Sequence, residues 1–126
     1  QQALSNDRFV VLSSYGGNAN VGRYLEFFAG IDSFTAPIFL PVTAKLLTIV
    51  AQTNALTTAT LGFFDLNVSN ITPVFSVNFT NQMSVVANST PASPNAVLPA
   101  NALLALRVTA GSFNKPRAYF YLSAAT

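Results

Sequence analysis

Histidine and cysteine are both missing from these 126 residues. With them go the imidazole bases, thiolate nucleophiles and nitrogen or sulfur metal ligands from which most catalytic sites are assembled. Acid and base chemistry is left to Asp7, Glu26, Asp32 and Asp65. Two carboxylates held close together can act as acid and base on a glycosidic bond, but four scattered acids are what an ordinary chain uses for caps and isolated ion pairs. No catalytic residue, metal site or cofactor is expected.

Ligand recognition has better material. Tyr15 is followed by Gly16, Gly17, Asn18 and Asn20, an aromatic ring with amides and open backbone, a mixture common in glycan sites. The polar stretch from Asn88 to Asn95, marked by Pro91 and Pro94, is a second candidate because binding residues gather on loops. Arg23 and Glu26 stand among Tyr24, Leu25, Phe27 and Phe28. On a regular strand, residues three apart point to opposite faces, so the two cannot pair with each other. In surroundings this apolar, Arg23 is expected to bond a carboxylate of another strand or protomer and so fix register, with Arg107 and Arg117 as further members. The functional alternative for these arginines is an anionic sugar.

The elements that carry these residues read as strands. Short runs rich in Val, Ile, Leu, Phe, Tyr and Thr are separated by Gly, Pro, Asn and Ser clusters, with no sustained helical period. The expected strands are Arg8 to Ser14, Arg23 to Ala29, Pro37 to Pro41, Ala44 to Thr53, Thr58 to Asn67, Thr72 to Asn78, Met83 to Asn88, Ala102 to Ala110 and Arg117 to Ser123. Tyr15 to Asn18 and Pro91 to Asn95 read as loops. Asn54 to Thr57 and Asn67 to Asn70 read as connections between antiparallel neighbours, and Gly111 to Asn114 as the link between the last two strands. Such spacing predicts one all-β domain over residues 1–126, a two-sheet antiparallel jelly-roll sandwich.

Alternation within the strands predicts more than one copy. Leu47, Ile49 and Ala51 line one face of their strand, yet Leu46 and Val50 leave the other face apolar as well. Ala118, Phe120 and Leu122 alternate with Tyr119 and Tyr121, and Leu104, Leu106 and Val108 with Leu103, Ala105 and Arg107. A lone sandwich hides one of these sets; a symmetry-related copy is expected to hide the other. Composition agrees: hydrophobic residues make up 51% and charged residues 8%, where a soluble domain usually carries about 25% charged. The longest apolar runs are far shorter than the roughly 20 residues of a membrane helix, and a β-barrel without a single Trp would have thin aromatic girdles. A net charge of +2, with basic residues gathered only near Lys115 and Arg117, is no nucleic-acid footprint.

Several stretches carry a resemblance. Val21-Gly22-Arg23-Tyr24-Leu25-Glu26, then Ala36-Pro37-Ile38-Phe39-Leu40-Pro41, then Leu104 through Ser112 and Asn114-Lys115-Pro116-Arg117 before an aromatic last strand resemble the C-terminal heads that cap collagen-like or fibrous stalks. Such heads, in bacterial surface proteins and phage tail fibres, are similar to tumour-necrosis-factor-like jelly rolls. The resemblance implies a homotrimer with Tyr119 and Tyr121 near subunit contacts and no cofactor. It also implies adhesion, with a cell-surface glycan or receptor as partner, on a cell or spore surface or a phage particle. The start at Gln1-Gln2-Ala3 is expected to follow a longer N-terminal part. A structural cap without ligand is the first alternative. A viral jelly-roll shell subunit is the second, with the lack of a basic arm against it.

Overall fold

The computed structural model describes residues 8–88 and 97–124. Asn95 and Asp7 lie outside the described residues. The strands are β1 Arg8–Ser14, β2 Asn18–Asn20, β3 Glu26–Phe28, β4 Ile31–Asp32, β5 Ile38–Phe39, β6 Ala44–Asp65, β7 Phe75–Asn88, β8 Val97–Leu98, β9 Leu103–Ala110, β10 Ser112–Asn114 and β11 Arg117–Ala124. All pair antiparallel.

Instead of two separate sheets, nine strands form one continuous sheet in the order β4-β3-β1-β11-β6-β9-β5, with β7 and β8 also on β6, and β2 and β10 make a small ribbon. Two layers arise because β6 is 22 residues long and changes neighbours along its length. Residues Ala44 to Gln52 pair with β11, whereas Thr60 to Asp65 pair with β9. Strand β7 follows β6 through both halves, and their register breaks between Gln52 and Thr57 and again before Ala59. At those breaks the hairpin folds over, so the ring of Phe120 on β11 meets Phe63 from the far half of β6, with centroids 4.7 Å apart.

The expected pairs Ala44 to Thr53 with Thr58 to Asn67, and Thr72 to Asn78 with Met83 to Asn88, are therefore consecutive halves of single strands. A polar break such as Asn54 to Thr57 marks the bend of a strand as readily as the end of one. Thr53 shows how the bend is held: its buried hydroxyl donates to the Asn114 carbonyl at 2.9 Å and accepts from the Asn114 N–H at 3.0 Å. The side chain does for β10 what a neighbouring strand would, and a polar group orphaned at such a site costs about 1–3 kcal/mol. Ser33 clasps the N–H and carbonyl of Leu106 in the same way, at 3.2 and 3.3 Å.

The core lies between the layers. Ala118, Phe120 and Leu122 face it from β11, and Leu104, Leu106 and Val108 from β9, all buried, as the alternation predicts. One inward assignment changes. Between Tyr121 and Leu122 the partner on β6 jumps from Thr48 to Leu46, which makes Leu47 an extra residue in a bulge. A bulge reverses parity, so Leu46 and Ile49 are both buried while Leu47 is only half-buried.

Candidate functional site

The chain covers part of the outer face of its second layer by itself, although Phe34 and Phe39 stay 49% and 53% exposed. Arg107, on β9, has its guanidinium carbon 4.8 Å from the centre of the Phe64 ring and 5.8 Å from that of Tyr24, and its Nη1 donates to the Asn70 carbonyl at 3.2 Å. Tyr24 in turn packs on Phe34, centroids 5.3 Å apart. Phe64 is left fully buried although it points away from the core layer. Ala105, expected to need a partner, is also buried.

Among the described residues, the outer face of the first layer is more open. Register sets Leu12 of β1 opposite Tyr119 of β11, Tyr119 opposite Val50 of β6, and Val50 opposite Val86 of β7. This makes an apolar row across four strands, about 14 Å wide at the usual interstrand spacing. The next row is Val10, Tyr121 and Thr48, with Asn88 closing it by backbone register. Leu12 is 59% exposed, Val86 61%, Val10 47% and Tyr121 42%. Scattered exposed hydrophobics need no explanation; a contiguous patch of them marks an interaction surface. Tyr119 and Tyr121 were legible as outward residues. Leu12, Val10 and Val86 were missed, because only the register across strands shows that they adjoin the tyrosines.

Hydrogen-bonding groups collect at the opposite kind of place, the end where the hairpin bends. An open cleft of about 670 Å³ is lined by Asn18, Asn20, Thr57, Thr58, Ser112 and Asn114, with Val21 and Leu56 among the remaining lining residues. Asn18 and Asn20 belong to β2 and pair with Asn114 and Ser112 of β10, so the stretches read as loops form a three-residue ribbon, too short for an alternating pattern to register. The Asn114 side chain donates to the Asn18 side chain at 2.7 Å. Among the described residues no charged group lines this cleft.

The remaining candidates are differently employed. Tyr15 is half-buried against the core, and the Arg23 guanidinium lies over its ring, 5.3 Å from the centroid, where a sugar platform would need that face open. Arg117 donates to the Asn54 side chain at 2.9 Å and to the Lys115 carbonyl at 3.1 Å. Among the described residues, then, Arg23, Arg107 and Arg117 take aromatic rings, amides and carbonyls of this chain, where a carboxylate of another strand or protomer was expected. The acids are occupied by backbone. Glu26 accepts from the Gly30 N–H at 3.1 Å, Asp32 from Thr35 at 2.8 Å, and the buried Asp65 from Asn67 at 3.0 Å and Leu103 at 3.1 Å. Register places Glu26 opposite Asp32 on the β3–β4 hairpin, but each carboxylate closes its own turn. No group of three or more potential metal-ligating acids occurs among the described residues, and no helix there is long and apolar enough to cross a membrane.

A single curled antiparallel sheet folded into two layers places the chain in the jelly-roll class. No protein-family model matches it, and no curated protein does either. Solved structures do. A chain from the acid-stable capsid of the Helicobacter pylori bacteriophage KHP30 is similar with a TM-score of 0.56 at 13% identity, over 98% of this chain and 91% of that one. A chain of black queen cell virus gives a TM-score of 0.45 at 14% identity, over 100% of this chain and 71% of that one. A chain of Bacillus endospore appendages, described as disulfide-linked pili, gives 0.40 at 10% identity, over 100% and 92%. The first of these likenesses establishes the fold: a jelly roll of the kind found in a phage capsid, with the tumour-necrosis-factor-like head not singled out.

Proposed function

We propose that this chain is a structural subunit of a virus-type particle, in which copies cover one another's apolar sheet face, and that it performs no catalysis. The observation that carries this reading is the apolar row of exposed Leu12, half-buried Tyr119 and Val50, and exposed Val86, with exposed Val10 and Tyr121 beside it. In the second layer Phe64 is buried under Arg107, whereas Leu12 and Val86 of the first-layer row are 59% and 61% exposed, which favours this row as the place for a second copy. Likeness to a capsid chain over nearly the full length of both supports the class of particle. Six basic side chains spread over the sequence favour protein contacts over contacts with packaged nucleic acid.

The test is solution mass against concentration. Wild-type protein should associate, with three copies as the arrangement expected of the jelly-roll heads it resembles. Leu12→Glu and Val86→Glu, both at exposed positions, should weaken association by at least about tenfold while leaving the melting temperature within a few degrees, since surface substitutions change stability little. Association unchanged in both variants sinks the reading.

A second reading, a fibre-tip head that holds a neutral glycan, is favoured by one observation: the uncharged bend-end cleft that brings Asn18 and Asn20 together with Asn114. On a glycan array the domain should then bind, and Asn18→Ala should lower the signal by about tenfold, the scale of one or two lost hydrogen bonds. An array without signal removes this reading and leaves the shell subunit untouched.

A further inference from the structure

Sheets must end somewhere, and an end strand presents a row of unpaired N–H and carbonyl groups that can template another strand. Two ends of this sheet are blunted in a familiar way, since β4 and β5 are only two residues long. The third is not. Strand β7 runs 14 residues, FSVNFTNQMSVVAN, without a charge or a proline, and among the described residues it is paired on one side only, by β6. Its one interruption is Asn81, at φ 52°, which divides it into two regular halves.

We infer that the half of β7 from Phe75 to Phe79 is a strand-pairing edge for the same half-strand of a second copy. The segment is self-complementary. A two-fold axis at Val77 sets Phe75 opposite Phe79 and Ser76 opposite Asn78; an axis at Asn78 sets Val77 opposite Phe79 and Ser76 opposite Thr80. In either register the core-facing residues Val77 and Phe79, both buried, meet apolar neighbours, the polar ones meet polar neighbours, and no like charges oppose. The register of Phe75 to Phe79 against Phe63 to Ala59 is unbroken, so the edge is straight enough to accept a partner. Main-chain hydrogen bonds supply the affinity in such an addition, and the alternating side chains supply the selectivity. The inference rests on the self-association proposed above and adds a second, separate contact, because this half of β7 belongs to the second layer while the apolar row belongs to the first.

Amide hydrogen exchange distinguishes the two. In the associated protein, amides in Phe75 to Phe79 that face away from β6 should exchange at least about tenfold more slowly than in the dilute single subunit, as paired strand amides do. The double substitution Asn78→Lys with Thr80→Lys, at exposed positions, should abolish that protection and weaken association by about tenfold, since lysine is a natural guard of free edges. Protein that associates while those amides exchange as freely as in the single subunit overturns the edge contact alone. Protein that remains a single subunit at millimolar concentration overturns the edge contact and the assembly reading together.

Discussion

Replacing Phe120 by alanine should lower folding stability by about 3–5 kcal/mol, the range for large aromatic truncations in a packed core. The ring is fully buried and meets Phe63 edge-on at 4.7 Å and Phe27 at 5.9 Å between centroids. It is the contact through which the two layers of a single folded sheet hold each other, so no neighbour can collapse into the hole without moving a layer. A domain typically has about 5–15 kcal/mol in total, which makes this loss a large share. Denaturant midpoints for wild type, Phe120→Leu and Phe120→Ala should fall in that order. A loss below about 1 kcal/mol for alanine, less than a single buried methylene or two, would mean that the layers do not meet where described.

Gly111→Ala should cost about 2–5 kcal/mol, from left-handed backbone strain and overpacking together. Gly111 has φ +70°, and a Cβ there would stand 2.7 Å from the Thr58 carbonyl oxygen and 2.8 Å from the Ala59 Cβ. Those neighbours belong to the main chain of β6 just past the bend, or are fixed directly to it, and cannot swing away. Gly62→Ala is the comparison: its Cβ would meet the Phe64 ring, Cε1 at 2.7 Å and Cζ at 3.1 Å, and the Thr109 methyl at 3.0 Å. Rings and methyls can tip, so this variant should lose distinctly less. Equal losses at both positions, measured by thermal melting, would remove backbone crowding as the reason Gly111 is needed.

How much of this was legible beforehand depended on periodicity. β11 and β9 were readable to within one residue because Ala118, Phe120 and Leu122 alternate with Tyr119 and Tyr121, and Leu104, Leu106 and Val108 with Leu103, Ala105 and Arg107; β1 was readable as a short run ahead of a Gly/Asn cluster. Leu46 and Leu47 were exchanged because a bulge shifts parity without changing composition. The continuity of β6 and β7 was hidden, since Asn54 to Thr57 has turn-like residues whether the chain reverses or merely bends. The candidate surface was half-visible: two tyrosines could be assigned outward from one strand, but their neighbours Leu12, Val50 and Val86 come from three others. The arginines' partners within the chain were hidden for a related reason. Partners such as Phe64 for Arg107, or Tyr15 for Arg23, are brought close by tertiary folding alone, and the few acids had nearer backbone donors to satisfy. The capsid class was weighed from the strand pattern and set below the stalk head. The three-dimensional likeness shows the jelly-roll fold that both readings share.

Strand β1 lies between β3 and β11, and Arg8 is opposite Ser123. The first described strand therefore pairs with the last, and the loop that closes on their meeting spans a sequence separation of 115 residues. Closing so long a loop carries an entropic penalty that local contacts cannot offset early, so folding should be slow for a domain of this size. Until β11 docks, the apolar side of β1 stays open, and newly made copies are at their most aggregation-prone in that interval.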